Sequence, residues 1–193
     1  MRAAGISAEI EVIRSKRKSL SAGVEHDGHV VVRAPQEMPD SHIRQFLRDY
    51  AERIEKLVQK QQERLQAAQQ FPPFTNEEIR AMGEEACRII PPRVKHFADL
   101  LGVTYGMITI RNQKTRWGSC TATGNLNFNC LLVKAPPEVL DSVIVHELCH
   151  RRHPNHSRDF YEDVYRIFPD YDRCAKWLKN EGMILMERML GGR

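Results

Sequence analysis

The chain lacks the features that would mark a membrane protein or a disulfide-built secreted scaffold. No apolar run approaches the roughly 18 residues of a membrane span, and Met1 to Ile10 has no signal-peptide apolar region. Its five cysteines are odd in number and share no repeated spacing, which excludes a disulfide framework and points to a reducing, cytoplasmic setting. Strong charge is absent too. A net charge of +4 is mild, and the densest basic run, Arg14-Ser15-Lys16-Arg17-Lys18, reads first as a solvated face. No recognised nucleic-acid motif is present, so a nucleic-acid partner has only weak support. At 193 residues and 41% hydrophobic, the chain can bury one good core.

What is there is concentrated in His146-Glu147-Leu148-Cys149-His150. On a helix, residues four apart stack on one face, so both imidazoles can reach one metal ion. Glu147 follows the first histidine at the edge of that face, placed to take a proton from a metal-bound water. The context supports a helix: Pro136 and Pro137 suit its start, and Pro154 its end. Leu140, Ile144 and Leu148 recur on the side opposite the histidines and predict one core face and one ligand face. Cys149 points off the ligand face and reads as a small buried residue; Cys120 reads as buried, with a redox-sensitive neighbour of the site as the alternative.

A catalytic zinc site usually has three protein ligands and an open position. His153 and His156 compete for the third place. His153 lies on the same helical stripe but just before Pro154, whereas His156 follows the turn Pro154-Asn155, six residues after His150. That is the metzincin spacing, but His153 stands where metzincins have glycine, and no Met-turn is identifiable because Met183, Met186 and Met189 read as helical. The pattern is that of a zincin but not of an ordinary metzincin. Glu162 and Asp163 are weaker third-ligand options.

Around this site the N-terminal third reads as strands, then a long helix. Ile10 to Ile13 and part of Ser19 to Glu25 alternate, and Asp27-Gly28 signals a two-residue hairpin leading into Val30-Val31-Val32. A helix capped by Asp40 or Ser41 follows, with Ile43, Phe46, Leu47, Tyr50, Ile54, Leu57 and Val58 at helical spacing, turning Gln-rich between Gln59 and Gln70. Phe71-Pro72-Pro73-Phe74 breaks the chain. A further helix from about Glu77 should be interrupted or kinked by Pro91-Pro92 before ending at Gly102. Met107 to Arg111 and Leu126 to Asn129 read as short strands. Gly124 to Asn129 is the candidate edge strand for pairing with an extended peptide, an interior strand being the alternative. Trp117 reads as core.

The block from His146 to Phe160 resembles the YgjP-like metallopeptidase domain family, distant kin of the SprT-like zincins. The resemblance continues upstream in Thr115-Arg116-Trp117-Gly118-Ser119-Cys120 and Gly124 to Asn129. Downstream it continues in Phe168-Pro169-Asp170-Tyr171 and Lys176-Trp177-Leu178, and Arg14 to Ser19 and Gly28 to Pro35 are also similar. Nearly the whole chain is covered. Tyr161 departs from the family, standing where a tryptophan often follows the Phe, and Arg151-Arg152 make the turn unusually basic.

The resemblance implies that His146, His150 and His156 hold the metal and that Glu147 is the general base. It implies an α+β fold with a zincin-like, minigluzincin-type core, a small antiparallel sheet packed on the metal helix, and an N-terminal hairpin and long helix. One such domain is expected over 1–193, with the strands and long helix at about 8–70 and the catalytic core at about 75–190. The expected activity is zinc-dependent hydrolysis of a peptide or protein substrate, another divalent transition metal being compatible with imidazole ligands. Arg116, His153 and Tyr161 are candidate oxyanion donors, and Arg116, Asn127 and Tyr161 candidate substrate contacts. Two alternatives are carried: a metal-dependent nucleotide pyrophosphatase, to which the arginines near the site lend weak support, and a non-enzymatic metal-stabilised nucleic-acid-binding module.

Overall fold

In the computed structural model, which describes residues 3–191, three consecutive valines form the centre of the first sheet. The chain divides between Phe71 and Pro72 into two compact units. In the first unit, β1 (Ile10–Ser15), β2 (Ser21–Val24) and β3 (Val30–Pro35) form a sheet in the order β1-β3-β2. β1 runs parallel to β3 and β2 antiparallel to it. The hairpin has three loop residues rather than two. The Glu25 N–H donates to the His29 carbonyl at 2.9 Å, leaving His26, Asp27 and Gly28 to make the turn. Gly28 supplies the positive φ of 92° that this longer turn needs.

The expected long helix is two, α1 (Asp40–Asp49) and α2 (Ala51–Gln69). At Tyr50 the backbone leaves helical dihedrals, while the Tyr50 N–H still donates to Phe46 and its carbonyl still accepts from Ile54. The apolar spacing continues across this break, so spacing cannot reveal it. Pro39, not Asp40 or Ser41, is the N-cap, and the Asp40 side chain pairs with Arg14 instead. Ile43, Leu47, Ile54 and Val58 are buried with Val30, Val32 and Ala34, which makes this unit's core.

The second unit begins with a capping box. Thr75 accepts from the Glu78 N–H at 3.1 Å and Glu78 accepts from the Thr75 N–H at 2.8 Å, starting α3 (Asn76–Leu101). Pro91 and Pro92 lie inside α3 and do not interrupt it. They forfeit two N–H donors, but Ile90 and Val94 beside them are fully buried, and this packing overrides the local preference. Gly102, left-handed at φ 64°, ends the helix.

β4 (Ile108–Arg111), β5 (Gly118–Cys120) and β6 (Leu126–Asn129) follow in the order β4-β6-β5. The sheet is mixed rather than antiparallel, since β4 runs parallel to β6. The chain passes β6's place, forms β5, and returns by a hairpin, which leaves β6 in the middle. A 3-10 turn (Cys130–Lys134) leads to α4 (Pro137–Cys149), and α5 (Arg158–Ile167), α6 (Tyr171–Lys179) and α7 (Glu181–Gly191) complete the unit.

Pro137 begins α4 as its spacing predicts, but the helix ends at Cys149, ahead of Pro154. Nor is it simply two-faced. Leu140, Ile144 and Leu148 are buried, and so are Val139, Val143, Val145 and Cys149, because α3, α5, α6 and β5 all pack against it. No helix among the described residues is long and apolar enough to cross a membrane.

Candidate metal centre

His146 and His150 project from α4, and His156 reaches them from the turn before α5. Ser157, accepting from the Phe160 N–H at 3.3 Å, caps α5 and fixes the return of the chain just past His156. The ligand atoms of these three histidines lie within 4.8 Å of one another, the one such group of His, Cys, Asp or Glu among the described residues. The Nε2 atoms of His146 and His156 are 3.1 Å apart. Phe160, fully buried, lies under all three rings with centroid separations of 4.8 to 5.0 Å.

Hydrogen bonds at Nδ1 orient two of the rings. His150 Nδ1 lies 3.0 Å from the His153 carbonyl, which can only accept; Nδ1 therefore carries the proton and Nε2 keeps its lone pair. His146 Nδ1 lies 2.7 Å from the Tyr171 hydroxyl, which can donate or accept, so this bond orients the ring without fixing its tautomer. Burial, with the His150 and His156 rings adding to it, holds His146 down at about 4. Burial also lowers His150. Both are therefore neutral imidazoles at neutral pH, the form that binds metal.

Glu147 is 6% exposed, and burial pushes its carboxyl up to about 7, against the charge of Arg116 and a backbone hydrogen bond from Cys120. Gly118 on β5 makes this position possible. A Cβ there would stand 2.7 Å from Glu147 Oε1 and 2.8 Å from its Cγ. Asn129, fully buried on β6, donates from Nδ2 to the Gln113 carbonyl at 2.8 Å and to the Arg116 carbonyl at 2.9 Å. This side chain pins the loop that carries Arg116 beside Glu147.

The remaining candidates separate. His153 lies past the end of α4, with its ring 3.0 Å from Asp163 and only its carbonyl turned to the site. Asp163 is also engaged by Arg152 and Arg166, and Glu162 by Arg158, so neither carboxylate joins the histidines. Asn127 donates to Ser119 at 3.2 Å across the sheet, and its strand is the interior one; the strand that flanks α4 is β5. Tyr161 lines the cleft beside His156, with ring centroids 6.2 Å apart.

Arg151 donates to the Thr104 and Ala122 carbonyls, and Arg152 to the Leu101 carbonyl as well as Asp163. Their donors bind the scaffold, which removes much of the reason for expecting a polyanion here. Cys149 is buried, its thiol raised to about 12 by burial and the nearby Asp163, and Trp117 packs on the core. Cys120 is half-buried on β5. Sequence reasoning missed Tyr171, Asn129 and Gly118 as site residues.

A family model described as YgjP-like, metallopeptidase domain matches residues 18–87 and 79–181. The crystal structure of the metallopeptidase zymogen of Pyrococcus abyssi abylysin is similar over 48% of this chain and 97% of that one, at 22% identity and a TM-score of 0.43. That of the zymogen of Methanocaldococcus jannaschii jannalysin is similar over 46% and 92%, at 24% identity and a TM-score of 0.42. No curated protein matches the chain.

Proposed function

The chain belongs to the YgjP-like metallopeptidase domain family, and on that premise we propose that it is a zinc-dependent peptidase with a zincin-like catalytic core. The observation that carries the proposal is the convergence of three histidine ligand atoms within 4.8 Å beside a buried glutamate. Three imidazoles, without a thiolate or carboxylate among them, suit zinc and leave a fourth position for catalysis. Bound there by His146, His150 and His156, the ion would supply a Lewis acid and bring a water's pKa toward about 7.

Every other part of the chemistry belongs to the chain. Tyr171 and the His153 carbonyl orient the imidazoles through Nδ1. Glu147, raised by burial to about 7, can take up the proton of the attacking water at its carboxylate oxygens near neutral pH and pass that proton to the leaving amine. Arg116 is the donor we assign to the developing oxyanion, because its charge already reaches Glu147. An extended peptide would pair with β5, the strand beside α4, rather than with β6.

The test is cleavage of a peptide mixture by zinc-loaded protein. Glu147→Gln should lower the rate at least about a hundredfold with the fold intact. Chelation should abolish cleavage and added zinc restore it. Zinc-loaded protein that leaves every peptide intact, or a Glu147→Gln variant as fast as the wild type, would refute the reading.

A further inference from the structure

A cavity of about 810 Å³ opens directly from His146 and His156. Its walls are two helix stripes: Arg158, Tyr161, Glu162 and Tyr165 at helical spacing on α5, and Tyr171, Asp172, Ala175 and Lys179 on α6. Tyr161 and Tyr165 are 37% and 38% exposed, although the opposite face of α5 buries Phe160 and Val164 completely. Large rings left open beside a metal centre invite an occupant.

The polar ends of two of the three tyrosines are already committed. The Tyr165 hydroxyl donates to Asp172 Oδ1 at 2.8 Å, and the Tyr171 hydroxyl faces His146 Nδ1. These bonds fix the rings, so what they present to the cavity is apolar face. Tyr161 and Tyr165 lie nearly stacked, 6.1 Å apart at 28°, and Tyr165 and Tyr171 meet edge to face at 81°. Ala175, the small residue on the α6 stripe, leaves the floor open.

Charge narrows the choice of occupant. The charged side chains of the wall balance, Arg158 and Lys179 against Glu162 and Asp172, so it carries no net charge to recruit a basic or an acidic side chain. A flat, neutral side chain suits this wall best, since aromatic pairs favour offset or edge-to-face contact at these separations.

We propose that this cavity is the specificity subsite of the enzyme, selecting peptides with a Phe, Tyr or Trp side chain next to the cleaved bond. The inference rests on the peptidase reading above, and Tyr161 and Tyr165 are its specificity-determining residues.

Two measurements keep the inference and that reading apart. The first is an NMR titration of metal-free Glu147→Gln protein with paired hexapeptides that differ only in Phe against Ala, Lys or Glu. The Phe peptide should shift the Tyr161 and Tyr165 ring signals and bind at least about tenfold more tightly than the others. Tyr165→Ala should shrink that ratio toward one, whereas Tyr165→Phe, which keeps the ring, should retain most of it. Because Tyr165 is exposed, the Ala variant should fold; Ala175→Leu, which fills the floor, provides an independent second loss.

The second measurement is cleavage of the same peptides by the zinc-loaded wild type. Equal binding of all four peptides, or a Tyr165→Ala variant that still prefers Phe, overturns the inference whatever the cleavage result. Preferential Phe binding without any cleavage upholds the subsite and overturns the peptidase reading instead.

Discussion

The two three-stranded sheets share one strand order and one pattern of directions, yet only one of them serves the site. In each, the last strand of the three lies in the middle, parallel to the first and antiparallel to the second. The middle strand of the first, β3, is Val30-Val31-Val32-Arg33-Ala34-Pro35, and its buried positions are wholly apolar. The middle strand of the second, β6, is Leu126-Asn127-Phe128-Asn129. It gives one fully buried place to an asparagine whose amide holds the Arg116 loop. The same scaffold is thus filled for stability in one unit and for positioning in the other. Where the second sheet departs from apolar filling, the departure faces Glu147 or the loop beside it.

The glycines of the two antiparallel edge strands make the largest contrast. Gly118→Ala puts a Cβ 2.7 Å from Glu147 Oε1 and must displace the carboxyl. Peptide cleavage should fall on the order of a hundredfold, with little change in melting temperature. Gly23 on β2 has nothing within 4 Å of the same added atom. Gly23→Ala should leave cleavage unchanged and raise stability by about 0.5 kcal/mol. Equal effects from the two substitutions would break the comparison.

A second pair sharpens it through stability. Asn129→Leu leaves the Gln113 and Arg116 carbonyls without their donor and the Leu131 N–H without its acceptor. Denaturant unfolding should show a loss on the order of 3 kcal/mol, accompanied by slower cleavage. Val32→Ala, at a fully buried position of β3, should cost about 2 kcal/mol and leave the rate per folded molecule unchanged.

The smallest effects are pH slopes of opposite sign. Burial would raise the Asp163 carboxyl, but hydrogen bonds from Arg166, His153 and Arg152 outweigh it and hold it at about 2. Its folded value lies below the unfolded 3.8, so its contribution is present above that pH and lost as pH falls toward 2. After solvent screening this is about 1 kcal/mol, visible as the acid-side difference between wild type and Asp163→Asn. In the first unit, the hydrogen bond to Asp27 raises His29 above its ordinary 6.5. That contribution is present below pH 6.5 and lost as pH rises through the folded value, and His29→Gln should remove the loss.

The sequence revealed the local parts of this account and concealed the tertiary ones. His146, Glu147 and His150 are legible because helical spacing alone puts them together. His156 lies in a turn, where spacing left it in competition with His153 until the family resemblance decided. The structure separates the two by giving the His153 ring to Asp163. Strands β4 and β6 can be read from their residues, but alternation does not encode which strand lies inside, so Gly124 to Asn129 reads equally as an edge or an interior strand, and the structure makes it interior. The Thr75 to Glu78 capping box is also a local pattern, a threonine with glutamate three residues on. Tyr171 meets His146 from another helix, and Gly118 matters only because Glu147 fills the space beside it. No local pattern announces either.

The most direct test of the central claim is zinc content and affinity, by native mass spectrometry and chelator competition, in wild type, His156→Ala and His153→Ala. One zinc per chain is expected in the wild type, held also by His153→Ala because its carbonyl remains to orient His150, and lost or much weakened in His156→Ala. A His156→Ala protein that binds zinc as tightly as the wild type, or a His153→Ala protein that alone loses it, would contradict the three-histidine centre.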